Sequence, residues 1–206
     1  MANTEVLMAG FGGQGMLLSG KLLAYAAMQK GLQVSWLPSY GPEMRGGTAN
    51  VTVCISDKPV GSPYISRPQA LLVMNQPSLE KFGPRVKPGG TIIINSTLVP
   101  IKCDRDDCTV LYVPANEIAE KVATARAANL VMLGAYVGLT GIVEKQLVID
   151  TIKKEFRSKQ KFIPANLAAL EAGYEIGTKA RGKRRKAGRA GASANSERKH
   201  KERRAR

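Results

Sequence analysis

Histidine occurs once in the 206 residues, tryptophan once and cysteine three times. The single histidine is His200, close to the C-terminus, so a zinc site built on clustered histidines has no donors. Cys54, Cys103 and Cys108 are few and odd in number, which fits a reduced, cytoplasmic compartment and excludes a disulfide framework. Cys103 and Cys108 stand in Cys-x4-Cys order and are expected to be free thiols; Cys54, on an apolar segment, is expected in the core. An iron–sulfur cluster needs a run such as Cys-x2-Cys-x2-Cys-x3-Cys, and three scattered residues do not supply it. Aromatic residues make up only 5% of the chain. No apolar run reaches the roughly eighteen residues that a membrane span requires, so no membrane association is expected. Met1-Ala2-Asn3-Thr4-Glu5 lacks a basic region leading into an apolar core, and no secretory leader is expected.

The apolar fraction of 44% is enough for a sizeable core in one domain with an appendage. The net charge of +15 is unevenly spread: residues 179–206 hold thirteen Lys/Arg against two Glu, and the first 178 residues hold eighteen Lys/Arg against fourteen Asp/Glu. The chain therefore divides into a body, 1–178, with the charge of an ordinary soluble domain, and a basic tail, 179–206. The tail has no apolar periodicity and is rich in Lys, Arg, Ala, Gly and Ser, a composition expected to be disordered in isolation. Lys183-Arg184-Arg185-Lys186 and Arg203-Arg204 suit weak, salt-sensitive contact with nucleic acid or another anionic surface. No aromatic residue is interleaved there to stack on bases.

The most informative segment is Val6-Leu7-Met8-Ala9-Gly10-Phe11-Gly12-Gly13-Gln14-Gly15. A short apolar run ends in Gly10-x-Gly12-x-x-Gly15, and a helix-compatible stretch follows at Met16. Strand, glycine turn and helix in that order form the phosphate-binding half of a nucleotide fold, where glycines allow close backbone approach and the helix start offers free N–H groups. A dinucleotide site also wants an acidic residue at the end of the second strand. Here that strand, Gln33–Leu37, runs into Pro38-Ser39-Tyr40 with no Asp or Glu. The glycines therefore carry two readings: a tight packing turn without ligand, or a cradle for a phosphate.

Further strands are expected at Glu5–Ala9, Ala49–Ser56, Ala70–Met74, Thr91–Asn95 and Val110–Val113, with Val51, Val53 and Ile55 on one face of the second of these. Helices are expected at Gln14–Gln29, with Leu18, Leu22, Tyr25 and Met28 at helical spacing, and at Gln76–Phe82, with Pro77 in its first turn. More follow at Ala115–Ala123, Asn129–Leu139, Glu144–Phe156 and Pro164–Ile176, the last closed by Gly177. Strands alternating with helices predict an α/β, Rossmann-like fold: a mostly parallel sheet with helices on both faces. Asn75 sits where it can cap the helix after it or touch a ligand at a strand end. Asn129 and Asn166 open helices and are read as caps.

The loop Pro38-Ser39-Tyr40-Gly41-Pro42-Glu43-Met44-Arg45-Gly46-Gly47 sets a charged pair, Glu43 and Arg45, between glycine turns. In a doubly wound sheet this loop and the Gly10–Gly15 loop both leave carboxyl ends of strands, so both are expected on one edge. Arg45 is suited to a phosphate or carboxylate, and Glu43 to orienting it.

With these segments in view, and with Met74-Asn75-Gln76-Pro77, Lys87-Pro88-Gly89-Gly90, Asn129-Leu130-Val131-Met132-Leu133-Gly134-Ala135 and Asn166–Gly173, the sequence resembles the gamma subunit of the 2-oxoacid:ferredoxin (acceptor) oxidoreductases. The resemblance covers residues 4 to 177 and rests on the joint order of the motifs. The Gly-Pro-Glu-Met-Arg-Gly-Gly form is closest to the 2-oxoglutarate and branched-chain types. The resemblance implies a complex that converts a 2-oxoacid and CoA to an acyl-CoA and CO2 while reducing ferredoxin or a similar acceptor, most fittingly with 2-oxoglutarate. It implies alpha, beta and ferredoxin-like delta subunits as partners. It also implies thiamine diphosphate, Mg and 4Fe–4S clusters in the complex, with no cofactor bound by this chain alone. The gamma subunit is then structural, with a possible CoA contact and no catalytic residue of its own. Gly10, Gly12, Gly13, Gln14 and Gly15 become the candidate CoA or phosphate loop. Tyr40, Glu43, Arg45, Gly46, Gly47 and Asn75 become an interface or a border of the active site. Cofactor chemistry carries such a reaction, which leaves little for Glu43 as a general base. The rival readings are a free-standing nucleotide- or CoA-binding protein and a nucleic-acid adaptor using the tail.

Overall fold

The computed structural model describes residues 3–41 and 47–204, with side chains through residue 184. Six strands form one sheet in the order β2-β3-β1-β4-β5-β6: β1 Thr4–Phe11, β2 Gln33–Tyr40, β3 Thr48–Ser56, β4 Ala70–Val73, β5 Thr91–Asn95 and β6 Thr109–Val113. The β1–β4, β4–β5 and β5–β6 pairings are parallel, whereas β3 runs antiparallel to both β1 and β2. The sheet is thus mixed and mostly parallel, as expected of the α/β class. Its order departs from a dinucleotide fold in one respect: β3 is inserted between the first strand and the second. β1 and β2 point the same way but do not pair. An acidic residue at the end of β2 would stand two strands from the glycine turn, about 10 Å away.

The strands sort their side chains by the period of two. Val6 and Met8 of β1, Leu72 of β4 and Ile93 of β5 enter a large core, while Leu7, Ala9, Leu71, Val73, Ile92 and Ile94 enter a smaller one on the opposite face. Over the large core lie α1 Met16–Gln29, α3 Ala115–Val122, α4 Ala128–Thr140 and α5 Lys145–Glu155. The smaller core is closed by α2 Gln76–Phe82, through Leu79 and Phe82, and by Val99. β2 is an edge strand, and it holds Pro38, which a central strand would not tolerate.

In α1 the buried side is Met16, Ser19, Gly20, Leu22, Leu23, Ala26 and Ala27. Of the residues at helical spacing, Leu22 is buried, whereas Tyr25 and Met28 are exposed. Alanine and glycine carry little hydrophobicity, yet on this face they let α1 lie close on β3. A Cβ at Gly20 would meet Val51 Cγ1 at 2.6 Å.

α4 is buried along nearly its whole length, and α6, Ile163–Arg204, packs beside it. Facing positions advance together, Val131 with Gly173 and Ala135 with Gly177, so the two helices run parallel. The reading that closed the last helix at Gly177 is corrected here: the helical backbone continues through Gly177 to Arg204 and crosses the 178/179 boundary. Gly177 is a point of close approach, where a Cβ would strike the Ala135 carbonyl oxygen of α4. The side chains from 185 onward lie outside the described residues.

Candidate functional site

The Gly10–Gly15 loop leaves the carboxyl end of β1 and enters α1 through Gly15, whose φ of 77° places it in the left-handed region that glycine tolerates. The loop is braced by one side chain. Gln14 Oε1 accepts from the Phe11 N–H at 2.6 Å, and Gln14 Nε2 donates to the Met74 carbonyl at 3.3 Å, at the end of β4. A Cβ at Gly10 would meet Gln14 Oε1 at 2.5 Å and Met74 Cβ at 3.0 Å. Gly10 is therefore the slot through which this brace passes. Gln14 and Gly10 together fix the loop's shape.

Asn129 corrects a second expectation. It does not cap α4, which begins without any side-chain cap. Its Nδ2 donates to the Gly15 carbonyl and to Ser19 Oγ, both at 3.1 Å, and Ser19 Oγ donates back to the Asn129 carbonyl at 3.1 Å. The side chain is a strut from α4 to the first turn of α1. The signal for it was a lone Asn immediately before the apolar run Leu130–Leu133, since a buried amide needs partners. Asn166 lies within the first turn of α6, with Nδ2 buried and unpartnered among the described residues. Asn75 does cap: its Oδ1 accepts from the Ser78 N–H at 2.9 Å at the start of α2. Its Nδ2 is buried without a partner among the described residues, at the carboxyl edge of the sheet.

Tyr40 and Gly47 both lie beside the glycine loop. The Gly12 N–H donates to the Gly47 carbonyl at 2.8 Å, and the Gly41 N–H donates to the Thr48 carbonyl at 3.0 Å. The antiparallel β3 returns the chain to this edge, pairing Thr48 with Phe11 and Ala49 with Tyr40. Glu43, Arg45 and Gly46 lie outside the described residues. Between the two loops is a cleft of about 470 Å³, walled by Gly12, Gly13, Gly15, the first turn of α1 and Tyr40. α1 opens with no side-chain cap, so its first N–H groups are unclaimed by side chains. Among the described residues no charged side chain lines the cleft. Its offer to an anion is backbone dipole, and its offer to an apolar group is Met16, Leu17 and Leu18.

The cysteines are separate free thiols. Cys54 is buried on β3, and burial pushes its thiol pKa up; burial does the same for Cys108. Among the described residues no three His, Cys, Asp or Glu side chains come together. The donor set does not fit an iron–sulfur cluster or a metal–diphosphate centre.

A family model for pyruvate ferredoxin/flavodoxin oxidoreductase matches residues 5–176. The chain belongs to this family. It is 48% identical over 173 residues to ketoisovalerate oxidoreductase subunit VorA of Methanothermobacter thermautotrophicus, which covers 83% of this chain but only 36% of that relative. The chain thus spans about a third of the length of the VorA relatives. It is 35% identical over 179 residues to 2-oxoglutarate synthase subunit KorC of Methanocaldococcus jannaschii, covering 84% of this chain and 92% of that one. Among solved structures, the gamma subunit of a keto/oxoacid ferredoxin oxidoreductase from Geobacter sulfurreducens superimposes with a TM-score of 0.74 at 32% identity, covering 85% of this chain and 99% of that one. The resemblance to gamma subunits read from the motifs stands, and the homologues are subunits of oxidoreductases that act as complexes. Among the described residues no helix of this family member is long and apolar enough to cross a membrane.

Proposed function

We propose that this chain is the gamma-type subunit of a 2-oxoacid:ferredoxin oxidoreductase and that its glycine-loop cleft receives part of CoA. The observation that carries the reading is the cleft between the Gln14-braced loop and Tyr40, within a chain whose family match runs from residue 5 to 176. Uncapped N–H groups at the start of α1 suit a diphosphate, and Met16, Leu17 and Leu18 suit an apolar segment beside it. The thiamine diphosphate, Mg and clusters of such a complex belong to alpha, beta and delta-type partners, and this chain contributes shape and binding surface. The overall reaction takes a 2-oxoacid, CoA and an oxidised acceptor to acyl-CoA, CO2 and the reduced acceptor, in the cytoplasm.

The substrate proposed first is 2-oxoglutarate, supported by the match to KorC over nearly its whole length. A branched-chain 2-oxoacid is the second reading, supported by the higher identity to VorA. The deciding experiment is anaerobic purification of this chain with its native partners, followed by CoA-dependent viologen reduction with 2-oxoglutarate or 2-oxoisovalerate. Co-purification of thiamine-enzyme subunits with activity on one oxoacid supports the subunit reading and names the substrate. A chain that comes down alone, or with nucleic acid, sinks it.

A further inference from the structure

A second cavity, of about 660 Å³, lies at the opposite edge of the sheet from the glycine loop. Its floor is formed where strands begin: Thr4 opens β1, Ala70 opens β4 and Thr91 opens β5. Its rim carries Arg181 and Arg184 of α6, one turn apart on the same side of the helix. Neither arginine has an ion pair or a hydrogen bond among the described residues, and no acidic side chain among them lines the cavity. Arg181 is nevertheless held in place. Its guanidinium lies so close over Gly141, the left-handed residue that ends α4, that a Cβ there would meet Nη1 at 2.6 Å and Cζ at 3.1 Å. A guanidinium at a helix C-terminus is commonly spent on the last carbonyls. Here the nearby Ile142 carbonyl is served by Lys30 Nζ at 3.2 Å, and Arg181 donates to no described carbonyl.

An independent observation sits in the same wall. Tyr136 is fully buried, and its hydroxyl lies near the Thr140 side chain without a well-formed hydrogen bond among the described residues. The adjacent Thr140 hydroxyl is already engaged, donating to the Tyr136 carbonyl at 2.7 Å and accepting from the Ile142 N–H at 3.4 Å. Burial keeps the phenol proton on, with its pKa above the ordinary tyrosine range, so the group is a neutral donor at every physiological pH. A buried, unclaimed O–H in a close-packed wall calls for an explanation, and a ligand acceptor is one.

We infer that this cavity is a binding site for a phosphorylated small molecule, distinct from the glycine-loop cleft and independent of the subunit reading. Two planar guanidinium groups a turn apart can share the oxygens of one phosphate, whereas a single carboxylate would occupy one of them. The volume lies in the range of about 300–1,000 Å³ found for small-molecule sites, and Leu139 and Ile142 give the organic part an apolar wall.

The test is calorimetric titration of the full chain with inorganic pyrophosphate and with adenosine monophosphate at about 0.15 M salt. R181A/R184A should weaken binding by roughly tenfold to a hundredfold, as expected for loss of charged hydrogen bonds. R198A/K199A/K201A, which removes basic residues far along the tail sequence from Arg184, should leave the affinity within about twofold. Y136F should reduce the rise in melting temperature that the anion produces, while raising the melting temperature of the free protein by removing an unsatisfied group. Equal loss in the tail variant would assign the binding to tail charge and overturn the site. Undiminished binding by R181A/R184A, or an undiminished thermal shift in Y136F, overturns it as well.

Discussion

Gln14 is the residue on which the glycine loop depends most, because its two ends join β1 to β4. Gln14→Ala leaves the Phe11 N–H and the Met74 carbonyl without this partner. The expected cost is about 1–3 kcal/mol, read as a lowered urea midpoint. Gly15 and Asn129 are coupled. Gly15→Ala meets both a positive φ and the Asn129 amide at 2.7 Å. N129A removes the second obstacle but leaves the first, about 1–2 kcal/mol of left-handed strain. The double variant should therefore be less destabilised than the sum of the singles, and a double-mutant cycle from equilibrium unfolding measures the difference. Arg105 gives a third test. It bonds Asp107 at 2.6 and 2.8 Å and the Gly83 and Val86 carbonyls at 2.8 Å. Hydrogen bonding from Arg105 lowers the Asp107 pKa below the ordinary carboxylate range. A carboxylate lowered on folding adds stability above its unfolded pKa of about 3.9, and that stability is lost as pH falls through the lower folded value. D107N should flatten the acid limb of the stability profile below about pH 4 and leave its shape above about pH 5 unchanged, followed by urea midpoints across that range.

At the scale of elements, the α4–α6 pair is the feature that sequence reading understated. Gly134 and Gly138 on α4, and Gly173 and Gly177 on α6, stand four apart on each helix. A Cβ at any of them would strike a backbone carbonyl oxygen of the other helix: Leu170 and Tyr174 from α4, Val131 and Ala135 from α6. Backbone cannot step aside as a flexible side-chain end can. Gly134→Ala or Gly173→Ala should thus cost about 3 kcal/mol or more, at the upper end of overpacking effects. Gly182, on the same helix, has open space around its Cβ. G182A should stabilise by about 0.5–1 kcal/mol, the helix-propensity gain. Opposite signs for two Gly→Ala changes in one helix, seen by thermal unfolding, separate close packing from propensity. The spacing Gly-x3-Gly was present in the sequence. A glycine after an apolar periodic stretch reads equally well as a helix stop, and only the neighbouring helix distinguishes the two.

At the scale of the whole molecule, the proposed assembly with partner subunits is tested at the carboxyl edge. Tyr40 is exposed on β2 beside the glycine-loop cleft, while Tyr25 and Met28 are exposed at the far end of α1, beside α5. Tyr40→Ala changes an exposed side chain and should alter the chain's own stability by less than about 0.5 kcal/mol. Under the proposed function, it should raise the KM for CoA of the purified complex or release the gamma-type chain. Size-exclusion profiles and CoA titration of dye reduction distinguish these results, and a variant indistinguishable from wild type in both would remove Tyr40 from the site.

The sequence by itself determined the strands and α-helices and many of their limits, because burial on both faces of β1, β4 and β5 and the caps at Asn75 and Gly31 are local signals; it ended β2 at Leu37, where the strand continues through Pro38 to Tyr40. It also determined the division of charge and the joint order of motifs that marks the family. Tertiary structure alone decided that β3 enters the sheet antiparallel between β1 and β2, because strand order depends on which edges meet and an alternating strand reads the same in either direction. It also decided that Asn129 braces Gly15 across 114 residues of chain and that Gly177 continues a helix. It placed Arg181, Arg184 and Tyr136 around one cavity as well. Each of these outcomes depends on which groups approach across the fold, and spacing along the chain carries no record of that distance.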